Sequence, residues 1–358
     1  MRRSLAYLFT AAMLLTQGCG YYEQLTPAQK ATLEQARFNQ LYVDYAKAQN
    51  LGLGASLDDK PPISQDDGLR GTQDVLPARV DLRPSCPPVY NQGPFRTCTG
   101  FAVAKGLGEY LLRRQGDNTP LSANHLYVAA KSAAMDTAMK LNGDSSGYMQ
   151  HYMDGAGFQD TGTSIASAMA ALELGGAVEE ADVPYPPASL WGRYWQSNLV
   201  PGNTYTSNDP LDPFFEDPPM KTVSGGKVEY PLSPARIRIR LAEPVHSLAA
   251  MRRSLAKGMP VVVGFVVHES FYSAQVRKTG RIPLPTATDR TIDGHAMLCV
   301  GYDDAQQLLI IRNSWGAEWG DRGYCYLPYA ATAQGLLRDC WSVNDTPPDR
   351  PSWLPGVG

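Results

Sequence analysis

The strongest constraint on the fold comes from two short runs that lie far apart in the chain. The first, Asn91-Gln92-Gly93-Pro94-Phe95-Arg96-Thr97-Cys98, ends where an apolar run begins. The second, Gly294-His295-Ala296-Met297-Leu298, leads on to Asn313-Ser314-Trp315-Gly316. A thiol, an imidazole and two carboxamides are the parts of one nucleophilic site, provided the chain folds so that all four meet. After Cys98 the residues Phe101, Ala102, Val103, Ala104, Leu107, Tyr110, Leu111 and Leu112 recur at helical steps. Pro260 to Phe265 and His295 to Tyr302 read instead as strands. The pattern therefore predicts an α+β chain with the thiol on the first turn of a buried helix and the imidazole on a sheet.

Each residue type answers a chemical need. A free thiol holds little thiolate at neutral pH, and both an imidazolium neighbour and a helix N-terminus favour that anion. His295 would take the thiol proton and return it to a leaving amine. The Asn313 oxygen would hold the other ring nitrogen, while the Gln92 amide and the Cys98 backbone N–H would donate to an oxyanion. Singly, each has an ordinary structural reading: a buried Cys is a small hydrophobe, and Asn-Ser is a common turn pair. The argument rests on their joint order and context.

Together these motifs resemble the papain-like cysteine peptidases, and the bacterial branch more than the plant or lysosomal members. The resemblance runs from Ala78 to about Val343. Ala78 to Arg83 is similar to the family's mature N-terminal strand, Pro88 to Gly93 to the strand entering the oxyanion Gln, and Leu121 to Tyr127 to the start of its second helix. Asp160 to Ser164 resembles the glycine segment ahead of a helical run from Ile165 to Leu174, and Val183 to Pro186 the turn that follows. The resemblance implies a two-lobed α+β fold, with a helical left lobe, an antiparallel β-barrel-like right lobe and an active-site cleft between them. It implies Cys98, His295, Asn313 and Gln92 as the catalytic set. Gly162, Thr163, Ser164, Ala296, Trp315 and Arg338 become the substrate-side residues. Of these, Trp315 would shield the Asn–His bond, and Arg338 would favour acidic residues at the second position before the cut. The expected reaction is hydrolysis of a peptide or protein substrate through an acyl-enzyme, with no cofactor and no metal. Two departures stand out: Phe95 and Thr99 occupy places where many members have Cys and Trp. A peptidoglycan amidase, a transpeptidase acting on one dedicated protein and a disabled peptide-binding lipoprotein remain open alternatives.

The N-terminus carries an address. Arg2 and Arg3 precede an apolar run from Leu5 to Leu15, too short to span a bilayer, which needs roughly 20 residues. Gly18-Cys19 follows and resembles a lipoprotein signal, so residues 1–18 read as a signal peptide and Cys19 as a lipidated anchor in the envelope of a bacterium, at the outer membrane if it is Gram-negative. Residues 19–77 read as a helix at about 27–49 and a flexible linker from Gly52 to Asp74, serving as a propeptide or a stalk. The peptidase domain covers 78–345 with an insert at 187–234, and 346–358 forms a Pro-rich tail. A net charge of -3 argues against nucleic acid as a partner. With Cys19 and Cys98 assigned, Cys86, Cys299, Cys325 and Cys340 remain. Cys299 reads as buried and free, and a Cys325–Cys340 bridge is possible across an expected last hairpin. No CxxC occurs, and the other histidines lack ligand spacing.

Overall fold

The apolar run after Cys98 is hydrophobic on every side, which suits a helix surrounded by protein rather than one lying on a surface. A computed structural model of the chain describes residues 53–57, 60–65, 75–131, 162–190, 221–223, 227–229 and 235–344. In it the run forms one continuous helical stretch: an α-turn at Cys98–Gly100, a π-helical segment at Phe101–Gly108 and an α-helical end at Glu109–Arg114. All eight residues of the π-segment are buried, Lys105 among them. That charge is matched: Lys105 Nζ lies 2.9 Å from Glu180 and 3.5 Å from Glu109, as a buried cation requires.

Residues 123–131 form a second helix. A third, Ile165–Leu174, begins at Ser164, whose side chain accepts from Ser167 N–H at 3.1 Å. Asp339 places a carboxylate oxygen on the N–H groups of Ile165 and Ala166, at 2.8 and 3.2 Å, where the helix dipole favours negative charge.

The sheet consists of β1 (Arg79–Asp81), β4 (Ala242–Pro244), β5 (Val261–His268), β6 (Thr291–Asp303), β7 (Leu308–Arg312), β8 (Tyr324–Pro328) and β9 (Leu337–Val343). A separate hairpin, β2 (Lys221–Val223) with β3 (Lys227–Glu229), lies within the insert. The main order is β4-β9-β5-β6-β7-β8, with β1 beside β6 and every pair antiparallel. β5 is rich in β-branched residues and buried through its first five positions, as befits a central strand. The long β6 serves three neighbours in turn. Among the described residues the sheet stays open, so the barrel-like expectation becomes an open antiparallel sheet against helices, still an α+β arrangement. One continuous core joins the central helix to β5, β6 and β7 through Ala102, Leu107, Val262, Leu298, Val300 and Ile310.

Three expectations change. Pro88 to Gly93 forms only a single bridge, Asn91 to Trp315, because Pro88 lacks the N–H a ladder needs. Cys325 and Cys340 do not flank a hairpin: β5, β6 and β7 lie between their strands, and both thiols are free, as is Cys299. The Gly52 to Asp74 stretch is not simply a linker, since Leu53, Ala55, Leu57 and Ile63 are buried.

The chain divides into two units, Met1–Gln49 and Asn50–Gly358. The first lies wholly outside the described residues, and with it the signal peptide, Cys19 and the helix expected at 27–49. The tail 346–358 and most of the 187–234 insert lie outside them too. No helix among the described residues is long and apolar enough to cross a membrane.

Candidate active site

His295 sits within β6 and Asn313 just beyond β7, and the β6–β7 ladder sets their spacing through the Leu298–Arg312 pair. Asn313 Oδ1 lies 2.7 Å from His295 Nε2 and accepts the Ser314 N–H at 2.8 Å. A backbone N–H can only donate, so that Asn atom is an oxygen, and Nε2 must carry the ring proton. Nδ1 is then the basic nitrogen. It is buried and has no hydrogen-bond partner, as a proton acceptor awaiting its donor should be. Trp315 stacks on the imidazole, with centroids 4.9 Å apart and planes at 28°, and Phe271 and Trp319 pack edge-on or tilted around it. The His–Asn bond is thus shut off from water, which strengthens it.

Cys98 opens the central helix, behind Thr97 at the N-cap. Its Sγ accepts from the N–H of Ala296 at 3.4 Å, so the thiol lies against the strand that carries His295. Both groups are fully buried. Burial pushes the thiol up to about 12, partly offset by the Ala296 N–H, and pushes His295 down to about 4 against the opposing effect of Asn313. Both shifts favour the neutral form of each group.

Gln92 is oriented from both ends. Its Nε2 donates to the Phe95 carbonyl at 2.7 Å, and its Oε1 accepts from Ser314 Oγ at 2.6 Å. A carbonyl can only accept, so the amide orientation is fixed, with Nε2 toward the Phe95 carbonyl and Oε1 toward the Ser314 hydroxyl. Tyr185 secures the backbone on both sides: its hydroxyl donates to Gln92 O at 2.8 Å and meets Thr97 Oγ1 at 2.6 Å. Its ring sits edge-on to Phe95 and Phe101, and its N–H donates to Glu180 at 2.8 Å. The Phe95 that replaces a Cys is buried and forms one side of this clamp.

The cleft side is occupied by the chain's own residues 53–57. Gly54 N–H and Ala55 N–H both donate to Gly294 O at 3.0 Å. Thr163 N–H donates to Gly54 O and Thr163 O accepts Ser56 N–H, both at 3.1 Å, in a parallel bridge. Thr163 is the pairing residue of the expected trio. Gly162, at φ +81°, leaves room for the strand because a Cβ there would run into Gly54 O, and Ser164 caps the helix. Leu57 packs where Gly264 and Gly294 lack side chains; a Cβ on Gly264 would come within 2.6 Å of Leu57 Cδ2. Arg338 lies on the strand paired with Gly264, donates to Lys60 O at 3.3 Å and bridges Pro62. Arg96 and Asp293, two positions before Cys98 and His295 respectively, form a 2.5 Å ion pair beside Gly54.

The sequence reasoning missed Ser314, Tyr185, Gly264, the Gly294 carbonyl and the cleft strand. Only the last carried a signal: Leu53, Ala55 and Leu57 alternate with Gly54 and Ser56, at the period of a strand. Among the described residues no cluster of His, Cys, Asp and Glu could hold a metal ion.

The model of the papain family of cysteine proteases matches residues 76–340. An uncharacterized peptidase C1-like protein of Acanthamoeba polyphaga mimivirus is 36% identical over 139 residues, 38% of this chain and 44% of its own length. Mouse cathepsin R is 25% identical over 262 residues, 71% of this chain and 60% of its own. The chain thus spans less than two thirds of the length of these relatives. Xylellain, a cysteine protease from Xylella fastidiosa, shares the fold with a TM-score of 0.58 at 24% identity, covering 82% of this chain and 96% of its own. With the family model spanning most of the molecule, the chain belongs to the papain family of cysteine proteases.

Proposed function

We propose that this protein hydrolyses peptide bonds through Cys98, His295 and Asn313, and that residues 53–65 hold it as a zymogen. The observation that carries the reading is the bare, buried Nδ1 of His295, fixed by Asn313 on the strand that touches the Cys98 sulfur. The Cys98 proton passes to Nδ1, and the thiolate attacks the scissile carbonyl. The oxyanion receives a Gln92 amide N–H and the Cys98 backbone N–H. The tetrahedral adduct collapses as His295 gives its proton to the leaving amine, which departs and leaves a thioester on Cys98. Water then loses a proton to Nδ1, attacks the thioester, and releases the acid and the thiol.

An extended peptide in the cleft needs Thr163 and Gly294 O, and residues 54–56 already use both. Ala55 and Leu57 share a buried core with Cys98 and Ala296, and burial favours the neutral pair over the reactive ion pair. The proposed location is the bacterial envelope, with a lipid anchor on Cys19 following the 1–18 signal; a Cys19→Ala chain that still incorporates labelled palmitate would end that part.

The test is cleavage of a diverse peptide library by the chain starting at Tyr21, by the same chain trimmed to Leu76, and by Cys98→Ala versions of each. We expect turnover from the trimmed enzyme, at least tenfold less from the longer one, and none from either Cys98→Ala form. Turnover that survives Cys98→Ala would overturn the mechanism. Equal turnover before and after trimming would overturn the zymogen. Leu57→Asp should release the longer form without trimming, by placing a charge in the Gly264–Gly294 pocket.

A further inference from the structure

Strand β9 carries a bulge where the sheet meets the helix Ile165–Leu174. Val262 of β5 pairs with Trp341 and Gly264 with Arg338, so one residue of β5, Val263, lies opposite two of β9, Asp339 and Cys340. An extra residue in a bulge often takes a left-handed backbone, which glycine adopts most cheaply. Asp339 stands there instead, buried and at φ +46°. A non-glycine residue persists in that region only when its surroundings hold it there. Here the side chain does so. Its Oδ2 accepts the N–H groups of Ile165 and Ala166 at 2.8 and 3.2 Å, and its Oδ1 accepts Trp341 Nε1 at 2.6 Å. The helix already has a local cap, since Ser164 Oγ accepts the Ser167 N–H. The Asp339 carboxylate, from 174 residues away, therefore ties the helix to the sheet rather than starting it.

That tie lies directly behind the cleft. Thr163, two residues ahead of Ile165, gives its N–H to Gly54 O and accepts the Ser56 N–H. Across from it, Gly294 O on β6 accepts the N–H groups of Gly54 and Ala55. A strand in the cleft thus bonds the lead-in of the helix on one side and the sheet on the other. Both sets of bonds close together only if the two sides stand at the right separation. We propose that Asp339 is a positioning residue that sets the spacing between Thr163 and Gly294 O, and with it the affinity of the cleft for an extended peptide. For a substrate this rests on the proposed peptidase activity, whereas for the chain's own residues 54–56 it does not.

The experiment follows amide hydrogen exchange in the full chain carrying Cys98→Ala, so that it cannot digest itself. Asp339→Gly suits the bulge backbone but removes the carboxylate. It should speed exchange of the Ser56 and Thr163 amides at least tenfold and leave those of β6 and β7 at their parent rates. Asp339→Asn keeps an acceptor oxygen and tolerates left-handed backbone, so it should recover part of the protection. Unchanged exchange in Asp339→Gly would make the residue only an occupant of the bulge. Faster exchange spread evenly over β6 and β7 would make it a general stabiliser, and no recovery in Asp339→Asn would mean that the acceptor is not what matters. Each of these three results overturns the proposal. Peptide turnover is then measured in the full chain carrying Leu57→Asp with Cys98 intact. Adding Asp339→Gly should raise KM at least tenfold with kcat within about twofold, and a fall in kcat at unchanged KM overturns the substrate role. Absence of turnover from Leu57→Asp itself would count against the peptidase reading, and the exchange rates would still decide the role of Asp339.

Discussion

The two halves of the candidate site are held in different ways. On the sheet side, His295 and Asn313 inherit their positions from adjacent strands, whose ladder sets their separation before any side chain acts. Aromatic packing from Phe271, Trp315 and Trp319 then fixes the ring. On the helical side, Gln92 and Thr97 lie in a loop that among the described residues forms one bridge, Asn91 to Trp315, with backbone hydrogen bonds from Gln92 N–H to Ser314 O and from Gly316 N–H to Tyr90 O. Side chains supply the rest: Ser314 and the Phe95 carbonyl orient the Gln92 amide, and Tyr185 ties Gln92 to Thr97. A strand pair tolerates the loss of one side chain, whereas a loop closed by a few hydrogen bonds depends on each of them. The helical side should therefore be the more sensitive to small substitutions outside the reacting groups.

Gln92→Ala should have the largest effect, about 10²–10³-fold in kcat with KM little changed, because its amide acts on charge that appears only in the transition state. A KM effect alone would mean that Gln92 merely helps to bind substrate. Tyr185→Phe comes next. It keeps the ring but removes both hydroxyl contacts, so kcat should fall about tenfold, with a stability loss of about 1–3 kcal/mol from the stranded Gln92 carbonyl. Unchanged kcat, with only the melting temperature lowered, would make Tyr185 a packing residue and erase the contrast between the halves.

The smallest effect concerns pH. Below pH 6.5 the unfolded chain takes up a proton at His295 that the folded chain refuses until about pH 4, so stability falls as pH drops through that window. Above pH 9.0 the unfolded chain loses the Cys98 proton that the folded chain keeps to about pH 12, so stability falls again as pH rises. Urea midpoints of the untrimmed chain should show both slopes, with the acid one reduced in His295→Gln and the alkaline one in Cys98→Ala. Trimming residues 53–65 should shrink both, since that segment contributes to the burial that causes them.

The candidate quartet was legible because the proposed chemistry admits few residue types and the flanks carry clear periodicity: helical steps after Cys98 and strand character around His295. The sheet order and the register that bring Ala296 against Cys98 were not legible, because pairing between distant strands leaves no local trace. The same holds for Cys325 and Cys340, near in sequence terms but separated by three strands. Gly52 to Asp74 was misread for a different reason. Its glycines, prolines and acids suggested a linker, and they outweighed the short alternation of Leu53, Ala55 and Leu57.

Side-chain chemistry and apolar period are local properties, so the residues alone name which atoms could react and assign them to a helix start and a strand. Folding settles which Asn atom faces His295, how the Gln92 amide is turned between Phe95 and Ser314, and that the cleft is filled by the chain's own residues 53–57. Those outcomes depend on donors and acceptors from segments far apart in the chain, and a hydrogen bond is assigned only when both of its partners are in place.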